Sequence, residues 1–340
     1  MKSKKKKINS AVIGLGVGEF HAKNIYKNNS SRLMIVSDYN PKKNILIKNN
    51  YKNCIFTSNS NEIFKNPMID LVCISSYDNY HFKNIFKCIK TKKHFFVEKP
   101  FCLNIKELKK IFLAMKRNKE IKFSSNLVLR NSPQFVELKK NIEKKKMGMI
   151  YHVEGSYNYG RILKITKGWR GKIPFYSVTL GGGLHIIDLI LWLTNQKVEK
   201  VISIGNNIST KGTNFRFNDN VVALLKFSNG MTAKINSNFS SVTPHHHSLE
   251  MFGTKKSFFQ KYKSYFYFRN RGDKKPKEKS INFTNKMKSK VLSSFINSLH
   301  NPKIKPLVKK QEIFDAMSVS LAIEKSMSSK KWEKVKYFKI

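Results

Sequence analysis

The chain has 340 residues, 40% of them hydrophobic and 12% aromatic, enough to bury sizeable cores and to exclude wholesale disorder. At a usual domain size of roughly 100–200 residues, two domains are expected. Lys and Arg number 66 against 21 Asp and Glu, a formal net charge of +45; the excess is spread along the chain and travels with Asn, Ile and Phe, so it argues general attraction to polyanions and no specific nucleic-acid role.

Met1 to Lys7 reads as a basic tail and not as a signal peptide, because the apolar run behind it is short, glycine-broken and followed by Glu19, His21 and Lys23. Ile8 to Ile13 is then a first strand and Glu19 to Tyr26 a helix. Leu33 to Val36, Leu71 to Ser75 and Phe95 to Val97 follow as strands, with a helix at His81 to Lys90 carrying Phe82, Ile85, Phe86 and Ile89 on one face. Short apolar strands alternating with amphipathic helices imply a parallel sheet covered on both faces. Asn104, with Glu107 three residues on and Leu103 and Leu108 around them, marks the start of a helix that runs to about Lys116. Ile121 to Leu129 is expected as one more strand, closing the first domain near residue 125.

Beyond it the pattern changes. Ile150 to Tyr157, Val198 to Ile204, Val221 to Phe227 and Met231 to Asn238 have strand character, and the last two flank the turn signal Ser228-Asn229-Gly230. His247 to Phe252 and Ser257 to Gln260 flank Gly253-Thr254 as a second hairpin. Hairpin-joined strands make a mixed, largely antiparallel sheet. Arg269 to Lys290 reads as an exposed loop and Gln311 to Met327 as an amphipathic helix. The expected fold is α/β, with a parallel-sheet domain over residues 1–125 and a second α/β domain over 126–340 whose last helices are able to pack back on the first. Cys54, Cys73, Cys88 and Cys102 form no Cys-x-x-Cys pair, which argues against a disulfide framework or zinc site and for a reducing, cytoplasmic setting. No apolar run approaches the ~18 residues of a membrane span.

Three constellations carry chemistry. Gly14-Leu15-Gly16-Val17-Gly18 lies between the first strand and the first helix, the context in which glycines let backbone approach a pyrophosphate at a helix N-terminus. Glu19 stands where the usual spacing has a third glycine. Asp38 closes the second strand where a ribose-binding carboxylate belongs; it favours NAD over NADP, although Lys42 and Lys43 could offset the repulsion of a 2′-phosphate. Glu98-Lys99-Pro100 closes a strand of the same sheet, placing Lys99 toward the cofactor side, where a buried ammonium could exchange a proton with a hydroxyl; by itself a Lys-Pro there is usually only a turn. Gly181-Gly182-Gly183 precedes an apolar helix with His185 in its first turn and Asp188 three residues on. An imidazole beside a positive helix end tends to be neutral and competent as a base, while the bland alternative is a capping His over a satisfied Asp.

Together with Ser75-Ser76-Tyr77-Asp78-Asn79-Tyr80-His81, Trp192 and the closing Ala322 to Ser326 helix, these features resemble the Gfo/Idh/MocA family, the glucose–fructose oxidoreductase and inositol dehydrogenase group, over nearly the whole chain. The resemblance implies an N-terminal Rossmann domain, a C-terminal α/β domain with an open sheet that often forms a homo-oligomer interface (a dimer or tetramer), and hydride exchange between NAD(P) and a carbinol carbon of a sugar, nucleotide sugar or cyclitol. By matched position it gives Lys99 and His185 the proton-transfer roles, and Gly14, Gly16, Val17, Gly18, Asp38, Ser75, Ser76, His81, Glu98 and Lys99 to the cofactor. Many members carry an Asp four residues before that His; here the position is Gly181. Arg130, Trp169, Arg170, Tyr176 and Asp188 are candidates for the substrate, with Trp169-Arg170 and Tyr176 suited to stack on a sugar and pair with an anionic group. No metal is expected: His245-His246-His247 has no accompanying Cys or carboxylate set, and alternation puts His246 opposite the other two. The competing readings are an NAD-dependent hydrolase or epimerase of the same fold, a non-catalytic cofactor-binding protein, and a basic nucleic-acid-binding protein.

Overall fold

A computed structural model describes residues 6–281 and 284–340. Met1 to Lys5 of the expected basic tail, and residues 282–283 of the expected loop, lie outside them. The chain divides into two compact units, one of residues 1–127, 285–314 and 338–340, the other of 128–284 and 315–337.

The first unit is built on six strands, β1 (Ile8–Ile13), β2 (Ser31–Ser37), β3 (Ile55–Thr57), β4 (Leu71–Ile74), β5 (His94–Val97) and β6 (Phe123–Ser125), all parallel, in the order β3-β2-β1-β4-β5-β6. Helices α1 (Gly18–Lys27), α2 (Pro41–Lys48), α3 (Asn61–Lys65), α4 (His81–Lys90) and α5 (Ile105–Arg117) make the crossovers. This is the doubly wound Rossmann arrangement, whose strand order reverses between β1 and β4 and opens a crevice at their carboxyl ends.

Local chemistry explains most element ends. Asn104 caps α5 by accepting from the Glu107 N–H at 2.9 Å, and Glu107 reaches back to the N–H of Leu103, one residue before the usual capping-box partner. The buried face of α4 is His81, Asn84, Ile85, Cys88 and Ile89; Phe82 and Phe86 flank it, their rings 4.8 Å apart, instead of lying on it as expected. The strand expected over Ile121 to Leu129 is cut to three residues. The Leu127 N–H folds back onto the Ser125 carbonyl at 2.9 Å, the Asn126 side chain turns to Glu98, and a 3₁₀ turn follows at Val128–Asn131.

The second unit holds a nine-stranded sheet of β7 (Ile150–Asn158), β8 (Val198–Asn206), β9 (Asn220–Phe227), β10 (Thr232–Asn238), β11 (His246–Gly253), β12 (Ser257–Gln260), β13 (Ser264–Phe268), β14 (Lys279–Ser280) and β15 (Glu333–Lys334). Among the described residues of this sheet only β7 and β10 pair in parallel; the other pairings are antiparallel. Alternate residues such as Val153, Ala223, Leu225, Ile235 and Met251 are buried in one core with Ile186, Leu189 and Ile190. The helices of this part are α6 (Pro133–Glu143), α7 (Leu163–Thr166) and α8 (Leu184–Thr194).

Two helices complete the chain, α9 (Asn285–His300) and α10 (Lys310–Ser329). The segment expected as a loop to Lys290 is therefore helical from Asn285. Its first turns are basic and polar, and the apolar residues that anchor it, Val291, Leu292, Phe295 and Ile296, come later, each buried in the first unit.

Candidate functional site

In the first unit the chemistry gathers at the carboxyl ends of β1, β2, β4 and β5. Gly14 has φ +87°, and a Cβ there would strike the Ser75 carbonyl, so the turn requires glycine twice over. Gly16 is different: a Cβ built on it meets nothing within 4 Å. Gly18 opens α1 against Ser75 and Val12, and Val17 at the cap position offers no side-chain acceptor to the first N–H groups. A backbone turn facing open space, next to uncapped helix donors, is a cradle that suits a diphosphate.

Asp38 is 3% exposed and braces this turn. Its Oδ2 accepts from the Leu15 N–H at 2.6 Å and its Oδ1 from the Asn40 N–H at 2.9 Å, with Lys43 Nζ at 3.6 Å. Beside it, the Tyr39 and Tyr77 hydroxyls meet at 2.9 Å. Ser75 bonds through its N–H to the Ile13 carbonyl, and Ser76 accepts from Asn84. His81 is buried with Nδ1 2.6 Å from the Pro100 carbonyl and Nε2 2.9 Å from the Ser76 carbonyl, tying the β4 and β5 loops together.

Glu98 accepts from His21 Nε2 at 2.7 Å and from Asn126 Nδ2 at 2.6 Å. Burial alone would raise its carboxyl, but the bond from His21, the charges of His21 and Lys99 and the bond from Asn126 together hold it below the usual carboxylate range. Lys99 follows on a cis Lys99–Pro100 bond and is half-buried, not fully buried as expected. His21 and Asn126 escaped the sequence reading; they sit far from Glu98 in the chain, and no local pattern joins them.

In the second unit Gly181, Gly182 and Gly183 precede α8 as expected, but they are themselves helical. They form a π-helical turn, Thr179–Gly183, that runs straight into α8. The positive end lies upstream at Leu180, whose N–H donates to Ser177 Oγ, so His185 is a full turn inside the helical run and not at its start. The glycines serve close packing instead. A Cβ on Gly181 would run into the Tyr176 hydroxyl, one on Gly182 into Tyr157 and Phe239, and one on Gly183 into Ser237.

His185 is 7% exposed, with its ring stacked on Tyr157 at 6.0 Å and 18° and the His247 ring 6.4 Å away. His245 and His247 both lie against Tyr157, at 5.0 Å each, whereas His246 turns to Asn158 and Tyr262. Burial, with Tyr159 and Tyr176 adding to it, pushes the Tyr157 phenol up, so it stays a neutral wall. Arg170 packs over Trp169 at 4.7 Å and donates from Nε to the Tyr176 hydroxyl at 3.0 Å. Arg130 and Asp188 are brought together as an ion pair, with both side chains buried.

Two family models match this chain. Residues 8–126 match the oxidoreductase family, NAD-binding Rossmann fold, and residues 135–259 match the GFO/IDH/MocA C-terminal domain. The chain belongs to the Gfo/Idh/MocA family of oxidoreductases. It is 25% identical over 262 residues to a myo-inositol 2-dehydrogenase of Thermotoga maritima, covering 73% of each chain. Among solved structures, scyllo-inositol dehydrogenase from Lactobacillus casei with bound NAD(H) and scyllo-inositol superposes with a TM-score of 0.78 at 19% identity, covering 97% of this chain and 99% of that one. Levoglucosan dehydrogenase in complex with NADH gives 0.82 at 17%, covering 98% and 100%. At these identities the structures speak for the fold. The first unit thus carries the family's NAD-binding Rossmann fold, and the open space at Gly16 agrees with it. Among the described residues no cluster of three or more His, Cys, Asp or Glu could hold a metal ion, and no helix is long and apolar enough to cross a membrane.

Proposed function

We propose that this family member is an NAD(P)-dependent dehydrogenase that moves a hydride between nicotinamide and a carbinol carbon of a sugar, nucleotide sugar or cyclitol. The observation that carries the reading is the Gly14 to Gly18 turn, with Gly16 facing open space at the crevice of a 3-2-1-4-5-6 sheet. Bound there, NAD supplies the hydride acceptor. Gly16, Val17 and Gly18 hold the diphosphate by backbone N–H groups, while Gly14, whose N–H donates to the Ser37 carbonyl at 2.7 Å, shapes the turn. Asp38 holds the turn and has lone-pair capacity left to accept from ribose hydroxyls, which favours NAD. Ser75, Ser76 and His81 shape the opposite lip, and Glu98 keeps a negative charge beside Lys99.

In this reading Lys99 or His185 moves the hydroxyl proton. The free thiols of Cys54, Cys73, Cys88 and Cys102 suit a reducing cytoplasm. The exposed face of the nine-stranded sheet, which shows Ile204 and Leu224, suits a homo-oligomer.

The test is a screen of sugars, nucleotide sugars and cyclitols for NADH production. His185→Ala and Lys99→Ala should each lower kcat by about 10²–10⁴-fold while NADH still binds. Full turnover in both variants would remove the assigned roles. NADH binding with no turnover on any polyol would leave the fold and sink the dehydrogenase.

A further inference from the structure

A carboxylate and an ammonium meet at the carboxyl end of β2. Asn40 caps α2 by accepting from the Lys42 N–H at 3.1 Å, and Pro41 takes the first helical position. Lys43 is then the third residue of the helix, a position whose side chain reaches back toward the cap. It does so here, with Nζ 3.6 Å from Asp38 Oδ2. The Lys43 side chain is 40% exposed, whereas that of Asp38 is 3% exposed. Lys42 stands next to it on the surface, and residues 39–61 hold four Lys and no Asp or Glu.

The end of the second strand is where a Rossmann sheet reads the adenosine ribose. An acid there accepts from the 2′-hydroxyl of NAD, and a cation nearby accommodates the 2′-phosphate of NADP. This chain has both. Repulsion from Asp38 is muted, because its two oxygens are engaged by the N–H groups of Leu15 and Asn40 with Lys43 alongside. An ammonium carries three donors on a flexible stem, so Lys43 can keep Asp38 and still take a phosphate oxygen. On the loop after β4 the Tyr77 hydroxyl meets that of Tyr39 at 2.9 Å. That bond, burial and the neighbouring Tyr39 and Asp38 push the Tyr77 phenol up to about 12, so it adds no negative charge at neutral pH.

We propose that Lys43 is a specificity-determining residue that lets this protein bind NADPH nearly as well as NADH. Asp38 serves the 2′-hydroxyl of the one and Lys43 the 2′-phosphate of the other. This rests on the cofactor crevice of the dehydrogenase reading and deepens that reading from NAD to both coenzymes.

Fluorescence titration of the full chain with NADH and with NADPH, at about 0.3 M salt to screen the general basic surface, gives the ratio of the two dissociation constants. NADPH should bind within about tenfold of NADH. Lys43→Met should weaken NADPH relative to NADH by about tenfold more. Lys43→Arg should hold the parent's ratio, and so should Lys48→Met, an exposed lysine at the other end of α2. A parent ratio above about tenfold overturns the proposal, as does a ratio that survives Lys43→Met or moves equally in Lys48→Met. The two readings fail separately. Binding of both nucleotides with no turnover of any polyol would sink the dehydrogenase and leave Lys43 its role; NADH-linked turnover by a protein that rejects NADPH would do the reverse.

Discussion

The guanidinium of Arg130 grips the carboxylate of Asp188 through two parallel hydrogen bonds, Nε to Oδ2 at 2.8 Å and Nη2 to Oδ1 at 2.5 Å, with the two side chains only 2% and 1% exposed. Asp188 stands one helical turn beyond His185, so the pair pins α8 to the 3₁₀ turn at Val128–Asn131.

Breaking that pair from one side leaves a buried charge alone. Arg130→Met or Asp188→Leu should each cost about 3–5 kcal/mol of stability, and the double variant Arg130→Met/Asp188→Leu should recover much of it. Urea denaturation of the three variants and the parent gives the double-mutant cycle. Single variants that unfold at the parent's urea concentration would show that the pair is not structural.

The two glycines of the nucleotide turn should separate folding from binding. Gly14→Ala places a side chain at φ +87° against the Ser75 carbonyl and should destabilise by about 1–3 kcal/mol. Gly16→Ala meets no protein atom within 4 Å, so its stability should change by less than about 0.5 kcal/mol while NADH affinity falls about tenfold or more. Thermal melts and NADH fluorescence titration read the two effects independently; an unchanged NADH affinity in Gly16→Ala would place the diphosphate elsewhere.

Glu98 sets a pH dependence of known sign. Its folded-state carboxyl is held below its ordinary value of 4.5 by His21, Lys99 and Asn126 against the opposing effect of burial. A depressed carboxyl contributes stability that is fully present above the ordinary value and is lost as the pH falls below it. Glu98→Gln should therefore be less stable than the parent at pH 7, and the gap should narrow on acidification below about pH 4.5. Denaturant midpoints across that range would check it, and a gap that widens in acid would reverse the assignment.

What could be read from the sequence is what short-range physics decides. The turn after β1, the cap at Asn104 and the Ser228-Asn229-Gly230 hairpin are each settled within a few residues, and each formed where it was expected. The clustering of Tyr157, His185, His245 and His247 was out of reach, because it depends on the pairing of β7 with β11. The bonds of Glu98 to His21 and Asn126, and of Arg130 to Asp188, join positions 28 to 77 residues apart, for which one sequence has no signal. The three glycines were visible before α8, but their π-helical turn and close packing were not. A helix start and a close contact both ask for glycine, and only the rings of Tyr157, Tyr176 and Phe239 decide between them.

That tight fit constrains how this enzyme could be re-engineered. Because main chain, and not a pliable side chain, abuts those rings, the imidazole's depth is set like a key against a fixed stop. Randomising Tyr157, Tyr176 or Phe239 alone should mostly open holes beside the glycines, while enlarging a glycine alone should force the helix outward. Changing what the protein acts on therefore calls for libraries that vary ring and glycine as matched couples.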